Sequence, residues 1–423
     1  MLSFPRALTL LLLTVLAAAL AACSSSHFET PQMQGPAAMV DDGGKPRLWI
    51  LTKQEEVRQV SVGGGGTRSS SRWRADTFFH FEVRAYDPLE AKLLWNKRLL
   101  TLGDPDAHGS EPSRVIGSAE GARLLGQDGG IVWLLIGDAP FAVSASDGSL
   151  VADSEAIQRI NPELKGLLPS EAKHYGFDHG LVMMAADARM FVIRGPEQKA
   201  VAYAPPPPVQ EAVPLKANGM PEIVPMRPPI GEVPTRQVMF QGQWLGLYSE
   251  KEAADLADDE FGSGFKYPYT ILDERALARR VFYRAKIVEA QRFDERFKKA
   301  TDLQPVAGSP VFLKGRFMNE TGREKAYLSE DGNGLFIWHS TRIDDAGRLA
   351  LTRIDAQLKP VWTTELPLSE TSTVNQIGTW SLPGHVVMMG QLQTEKDGVT
   401  SREPQLVSID LETGAMKSTK LAQ

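Results

Sequence analysis

Few residues in this chain stand in patterns that do chemistry. His174, Asp178 and His179 in HYGFDHG are metal-ligand types close together. Their histidine spacing falls on opposite faces of a strand and off register on a helix, so the segment reads as a loop leading to Leu181. Asp331-Gly332-Asn333-Gly334 opens like a calcium loop, but Arg342 holds the twelfth position, where such a loop needs a Glu, and a tight turn fits better. Gly63 to Gly66 lacks the Lys-Ser/Thr of a phosphate loop. It reads as the tip of a long hairpin joining LTKQEEVRQVSV to ADTFFHFEVRAYD. That tip runs into TRSSSRWR, where Arg68, Arg72 and Arg74 flank Trp73. Guanidinium groups around an indole suit anionic lipid headgroups or an acidic partner. No nucleophile elbow, zincin helix or dinucleotide fingerprint is present, and no residue is assigned a catalytic or metal-binding role.

The other reactive residue is Cys23, the single cysteine, which excludes an intrachain disulfide and a Cys-based zinc site. It follows a segment with Arg6 near its start and no charge from Ala7 to Ala22. That stretch is short of the ~20 apolar residues a membrane span needs and reads as a signal-peptide core. Leu20-Ala21-Ala22-Cys23, followed by Ser24-Ser25-Ser26, resembles the lipobox of bacterial lipoproteins. The resemblance implies that residues 1–22 are cleaved off, that the Cys23 thiol takes a diacylglyceryl group, and that its freed amine takes a third acyl chain. Ser24 after the cysteine implies the outer membrane, with the body on the periplasmic side. Three chains bury tens of methylenes at ~0.8 kcal/mol each, an effectively permanent anchor. Cleavage removes only Arg6 among the charged residues and moves the formal charge from −6 to −7. Residues 23–46 lack an apolar period and are rich in Ser, Pro and Gly, so they are expected to form a flexible tether.

Positioning falls to a body of ordinary globular composition. With 423 residues, 42% of them apolar, the chain can bury a large core. Its 52 Asp and Glu against 46 Lys and Arg argue against a nucleic-acid partner. From residue 47 onward, short β-rich runs alternate with Gly/Asp turns. FEVRAYDPLEAKLLW (81–95), FAVSASDGSLV (141–151), LALTRIDAQLKPVW (349–362) and QLVSIDLETGAMK (405–417) share a strand, an Asp, a turn and a second strand start. Asp87 to Asp147 spans 60 residues and Asp355 to Asp410 spans 55, room for about four strands. The phrase RAYDPLEAKLLWNKRL resembles the Tyr-Asp-x-x-x-Gly-Lys-x-x-Trp repeat of quinoprotein-like β-propellers, with Ala91 where Gly is usual and Trp95 and Trp362 as the matching tryptophans. The resemblance implies an all-β propeller over 47–423, with about seven blades and six to eight possible. A Pro-rich, partly helical insertion is expected at 204–304. There Ser249 and Glu252 form a capping box for a helix near 250–258. Residues 273–303 are expected to be helical at both ends, with a strand possible near 280–289.

Quinone-dependent enzymes of that fold bind pyrroloquinoline quinone with Ca²⁺, many with a vicinal disulfide that one cysteine cannot form, and no carboxylate set here matches theirs. No cofactor is expected. Among propellers, the lipoprotein of the outer-membrane β-barrel assembly machinery is the most similar in context. The whole chain also resembles a family of proteobacterial lipoproteins of uncharacterised role. The expected function is a non-catalytic, membrane-anchored scaffold for an envelope protein. The alternative is a ligand-binding or hydrolytic propeller using the central funnel.

Overall fold

The structure, a computed structural model, describes residues 26–62, 72–103, 121–204, 237–258, 279–292, 295–319, 326–344, 346–369, 378–396 and 399–421. The signal segment, Cys23, Arg68, the glycine-rich tip and the prolines of 205–234 lie outside the described residues. The fold is all-β with antiparallel sheets, and the chain divides into two compact units: residues 1–87 with 93–205, and 88–92 with 206–422. No helix among the described residues is long and apolar enough to cross a membrane.

The first unit holds three sheets. The first contains β1 (Ser26–Phe28), β2 (Gln32–Met33), β3 (Ala38–Asp42), β4 (Lys45–Val62), β5 (Arg72–Asp87) and β6 (Lys92–Gly103). It runs β1-β4-β5-β6, with β2 and β3 also paired on β4. The long hairpin expected around Gly63 to Gly66 is β4–β5, paired out to Val62 opposite Arg72. The flexible tether is a correction: from Ser26 the chain is strand, laid antiparallel along β4. Backbone pairing replaces the apolar period as the ordering force, which is why composition gave no sign of it. The second sheet is β7 (Ala122–Asp128), β8 (Ile131–Ile136), β9 (Ala139–Ser144) and β10 (Leu150–Ala152). After α1 (Ser154–Ile160), the third is β11 (Tyr175–Phe177), β12 (Leu181–Met184), β13 (Met190–Arg194) and β14 (Lys199–Ala202).

The second unit holds the rest. β15 (Gln237–Phe240), β16 (Gln243–Tyr248), β17 (Arg279–Arg292) and β18 (Glu295–Pro305) form one meander, with α2 (Glu250–Asp258) between β16 and β17. β19 (Phe312–Phe317), β20 (Leu335–Ser340), β21 (Arg348–Ile354) and β22 (Pro360–Ser369) form the next, joined to the first by Arg279 and Arg280 of β17 opposite Leu313 and Phe312. The last is β23 (Gly378–Leu382), β24 (His385–Lys396), β25 (Val399–Asp410) and β26 (Met416–Lys420). Two expectations are corrected here. The described parts of 204–304 are mainly a four-stranded meander, and 295–305 is strand rather than helix because it pairs along β17. Six such groups are found among the described residues.

Alternation builds the cores. In β8, Val132, Leu134 and Ile136 join the core shared with the first sheet, through Trp49, Leu51, Phe81 and Val83. Ile131, Trp133 and Leu135 join the core shared with the third. In β20, Leu335 and Ile337 pack toward the preceding meander and Phe336 and Trp338 toward the following sheet. A strand covered on both faces must be apolar throughout, and each large side chain so buried contributes about 1.5–3 kcal/mol.

The repeated tryptophans lock consecutive sheets together. Trp95 on β6 donates its indole N–H to the Ser146 carbonyl, 3.2 Å away, and its ring covers Gly148 in the β9–β10 turn. Trp362 on β22 donates to the Glu412 carbonyl at 3.1 Å and covers Gly414 in the β25–β26 turn. Both glycines have positive φ, +69° and +74°, and a Cβ on either would sit 2.5–2.6 Å from the indole. Glycine is thus required twice over, by backbone and by contact. The register of these turns also corrects the repeat alignment. Gly148 N–H bonds to Ser144 O as Gly414 N–H bonds to Asp410 O, so Ser144, and not Asp147, matches Asp410. Ala91, where glycine was expected, does carry a positive φ of 48°.

In α2, the Ser249 N–H donates to Glu252 Oε2 at 2.9 Å and the Glu252 N–H to Ser249 Oγ at 3.2 Å, a reciprocal capping box. Glu252 is also bound by the Arg280 fork, Nε to Oε2 at 3.0 Å and Nη2 to Oε1 at 2.9 Å, with both side chains buried. One carboxylate therefore starts the helix and ties it to β17.

Candidate functional site

The long strands β4 and β5 carry opposite chemistries on their two faces. Trp49, Leu51, Phe81 and Val83 face the core. The other face places Thr52, Glu56 and Arg58 across from Glu82, Phe78 and Asp76. Alternation in QEEVR and FHFEVR puts the charges at period two, the one sequence signal that could have found them.

At the centre, His80 Nε2 lies 2.8 Å from Glu56 Oε2, and Nδ1 lies 2.9 Å from Thr101 Oγ1 on β6. Arg58 donates to both Glu56 oxygens, Nε at 2.7 Å and Nη2 at 3.0 Å, while its guanidinium lies over the Phe78 ring. Arg58, with further hydrogen bonds from His80 and Ser26, lowers the Glu56 pKa to about 2 against the opposing effect of burial. Beside it, burial pushes the Glu82 carboxyl up, but hydrogen bonds from Asn96 and Arg98 more than reverse this and hold it below its ordinary value.

Hydroxyl, imidazole and carboxylate stand in line, the components of a nucleophile and its base. The surroundings suit another task. His80 is 1% exposed, and Glu56 spends both oxygens on Arg58. The node instead holds the N-terminal strap. Ser26 hydrogen-bonds to Glu56, the Phe28 ring lies 6.1 Å from His80, and the Glu29 N–H reaches Glu55 O at 2.8 Å.

A second polar site lies in the other unit. Tyr327, Asp331, Phe336, Arg353, His385 and Asp410 line a cleft of about 340 Å³. Arg353 Nη1 donates to Glu412 O at 3.0 Å, and His385 Nε2 stands 4.0 Å from Asp410 Oδ2. Backbone N–H and hydroxyl donors from Thr413 hold Asp410 below the usual carboxylate range. Ser329 on the rim of the cleft gives its hydroxyl to Asp331.

The residues marked in the sequence scatter. His174 ends a short 3-10 turn, His179 stands in the β11–β12 turn with φ +47°, and Asp178 accepts the Tyr203 hydroxyl at 2.9 Å. Asp331 caps its own turn through the Asn333 N–H. Arg72, Trp73 and Arg74 stand on β5 opposite Val62, Ser61 and Val60. Their partner Arg68, and Cys23, lie outside the described residues. Compared with known proteins, the chain matches no protein-family model and no curated sequence.

Proposed function

We propose that this protein is a lipid-anchored β-propeller of the outer membrane. It is held on the periplasmic side through acylated Cys23 and acts as a non-catalytic scaffold for an envelope protein. Within each unit three consecutive meanders share cores in pairs and one tryptophan lock joins two of them, which supports a propeller of six blades. The outer strands carry the functional reading. β6, β10, β14, β22 and β26 each end their sheet, and each exposes apolar side chains: Leu93 and Leu94, Leu150 and Val151, Val201, Val361, and Met416. An outer strand with apolar side chains and open backbone groups accepts an extended segment of another chain. Lys199 on β14 and Lys417 and Lys420 on β26 disfavour pairing between two copies, which directs the edge to a different protein.

Photo-crosslinking residues at Val201, Val361 and Leu150 in living cells test this. The expected result is an adduct of one defined mass with an envelope protein, lost when Val201 is changed to Pro. Adducts only with the protein itself, or none at any of the three positions, refute it. The cleft of Arg353, His385 and Asp410 favours a second reading, a small polar ligand. That reading requires ligand-dependent stabilisation that disappears in Arg353→Ala.

A further inference from the structure

We infer that the cleft of Arg353, His385 and Asp410 binds a zwitterion, an α-amino acid with an apolar side chain. The inference rests on the second reading above, that the cleft takes a small polar ligand, and names the class of that ligand. The lining comes from the loop before β20, the end of β21, the β23–β24 turn and the end of β25, all within the second unit.

Opposite charges line this cleft, and the backbone keeps them apart. Arg353 makes one hydrogen bond among the described residues, from Nη1 to the neutral Glu412 carbonyl at 3.0 Å. Its Nε is buried without an acceptor. Asp410 is held in the same turn. Its Oδ1 accepts the Glu412 N–H at 3.0 Å, the Thr413 N–H at 2.8 Å and the Thr413 hydroxyl at 2.9 Å. Those donors keep the carboxyl ionised, while Oδ2 accepts no hydrogen bond among the described residues. Arg353 and Asp410 are thus clamped to the O and the N of one residue, which holds guanidinium and carboxylate within about 10 Å of each other. Asp331 feels the charge of Arg353, but its carboxylate is taken by the Ser329 hydroxyl and the Asn333 N–H. A ligand that completes the set brings an anion to Arg353 and a cation to Asp410. With Glu330 and Glu412 also on the lining, a simple anion is repelled, so the ammonium is indispensable.

His385 fixes where that ammonium sits. Its Nδ1 lies 3.3 Å from the Pro383 carbonyl, which can only accept. Nδ1 therefore carries the proton, and the neutral ring presents a lone pair at Nε2. Nε2 and Asp410 Oδ2 stand 4.0 Å apart, too far to bond each other. A nitrogen about 2.9 Å from both sees them at an angle of roughly 90°, near the spread of two N–H bonds of an ammonium. The remaining walls are apolar. The Tyr327 and Phe336 rings have centroids 5.8 Å apart, and Leu411 lies beside them. A volume of about 340 Å³ leaves room for an apolar side chain against these rings.

Titration calorimetry on the whole protein tests this, with probes at up to about 10 mM. Leucine carries both charges and the side chain. Leucinamide lacks the carboxylate, N-acetylleucine the ammonium and glycine the side chain, while glucose, acetate and putrescine represent other polar ligands. Leucine is expected to bind, with leucinamide and N-acetylleucine at least about tenfold weaker, because each loses a charge-assisted contact. Glycine is expected to be weaker than leucine. Arg353→Gln should bring leucine down to the level of leucinamide, and Asp410→Asn, which keeps the Oδ1 acceptor of the turn, to the level of N-acetylleucine. The probe comparison on the wild-type protein needs neither variant to fold. Equal affinity for leucine and either capped form overturns the zwitterion, as does leucine binding that survives both substitutions. Binding of glucose, acetate or putrescine without leucine, lost in Arg353→Ala, overturns this inference and leaves the polar-ligand reading standing. Binding of no probe overturns both.

Discussion

Gly414→Ala isolates what the tryptophan locks contribute. A Cβ at Gly414 would sit 2.6 Å from Trp362 Cδ2 and 2.9 Å from two further ring atoms, at a backbone φ of +74°. Left-handed backbone costs an L-residue roughly 1–2 kcal/mol, part of which is returned because alanine restricts the unfolded chain. Forcing the ring aside adds about 1–3 kcal/mol, since its N–H is held by the Glu412 carbonyl at 3.1 Å. Gly384 is the internal control: its φ is +69°, and nothing lies within 4 Å of its Cβ position. Gly384→Ala should therefore cost about 1 kcal/mol and Gly414→Ala about 2–4.

In a Trp362→Ala background the steric part vanishes, and Gly414→Ala should fall to the Gly384→Ala value, a coupling of about 1–3 kcal/mol. Urea unfolding followed by circular dichroism, with midpoints and slopes compared across the four proteins of the cycle, reads this directly. Equal costs for Gly384→Ala and Gly414→Ala would refute the lock. So would an excess cost at Gly414 that survives removal of the indole. Gly148 with Trp95 should repeat the pattern in the first unit, with Gly129, whose surroundings are also empty, as its control.

Other substitutions reach different parts of the fold. Glu56 has a folded pKa of about 2 against an ordinary 4.5, so its contribution is full above pH 4.5 and drains away as the pH falls toward 2. Glu56→Gln should lower stability at neutral pH by about 2 kcal/mol and flatten the profile between pH 4.5 and 2 in acid titrations followed by fluorescence. Arg280→Ala strands a buried Glu252 and should cost about 3–5 kcal/mol in urea, whereas Arg279→Ala, on exposed backbone next to it, should cost well under 1. Ala188 is exposed with φ +66°, and Ala188→Gly should raise stability by about 0.5–1 kcal/mol. Cys23→Ser should move the protein from the membrane pellet to other fractions, and mass spectrometry of the N-terminal peptide should lose the acyl mass.

Local chemistry was legible wherever a residue's partners lie within about five positions. The capping box of Ser249 and Glu252, the positive-φ glycines at 148 and 414, and the doubly buried runs IVWLLI and LFIW can all be read from neighbours alone. The segment 273–303 was ambiguous because Val281 and Ala285 fit either period, and β16 on one side and β18 on the other settled its described part as strand. The strap at 26–42 gave no periodic signal, since a short strand held by backbone bonds on a preformed edge needs no apolar alternation.

The buried node was out of reach for the same reason. Glu56 and His80 are 24 residues apart, and only the register of β4 on β5, with β6 beside it, brings them and Thr101 together. The sequence by itself determined the doubly buried strands, the Gly/Asp turns and the α2 cap, because propensity and turn free energies are properties of short windows. The tertiary structure decided which glycine each tryptophan covers, which charges meet, and where the N-terminal strap lies. Those outcomes depend on strand registry between distant segments, and a shift of one residue would have turned each of these side chains to the opposite face.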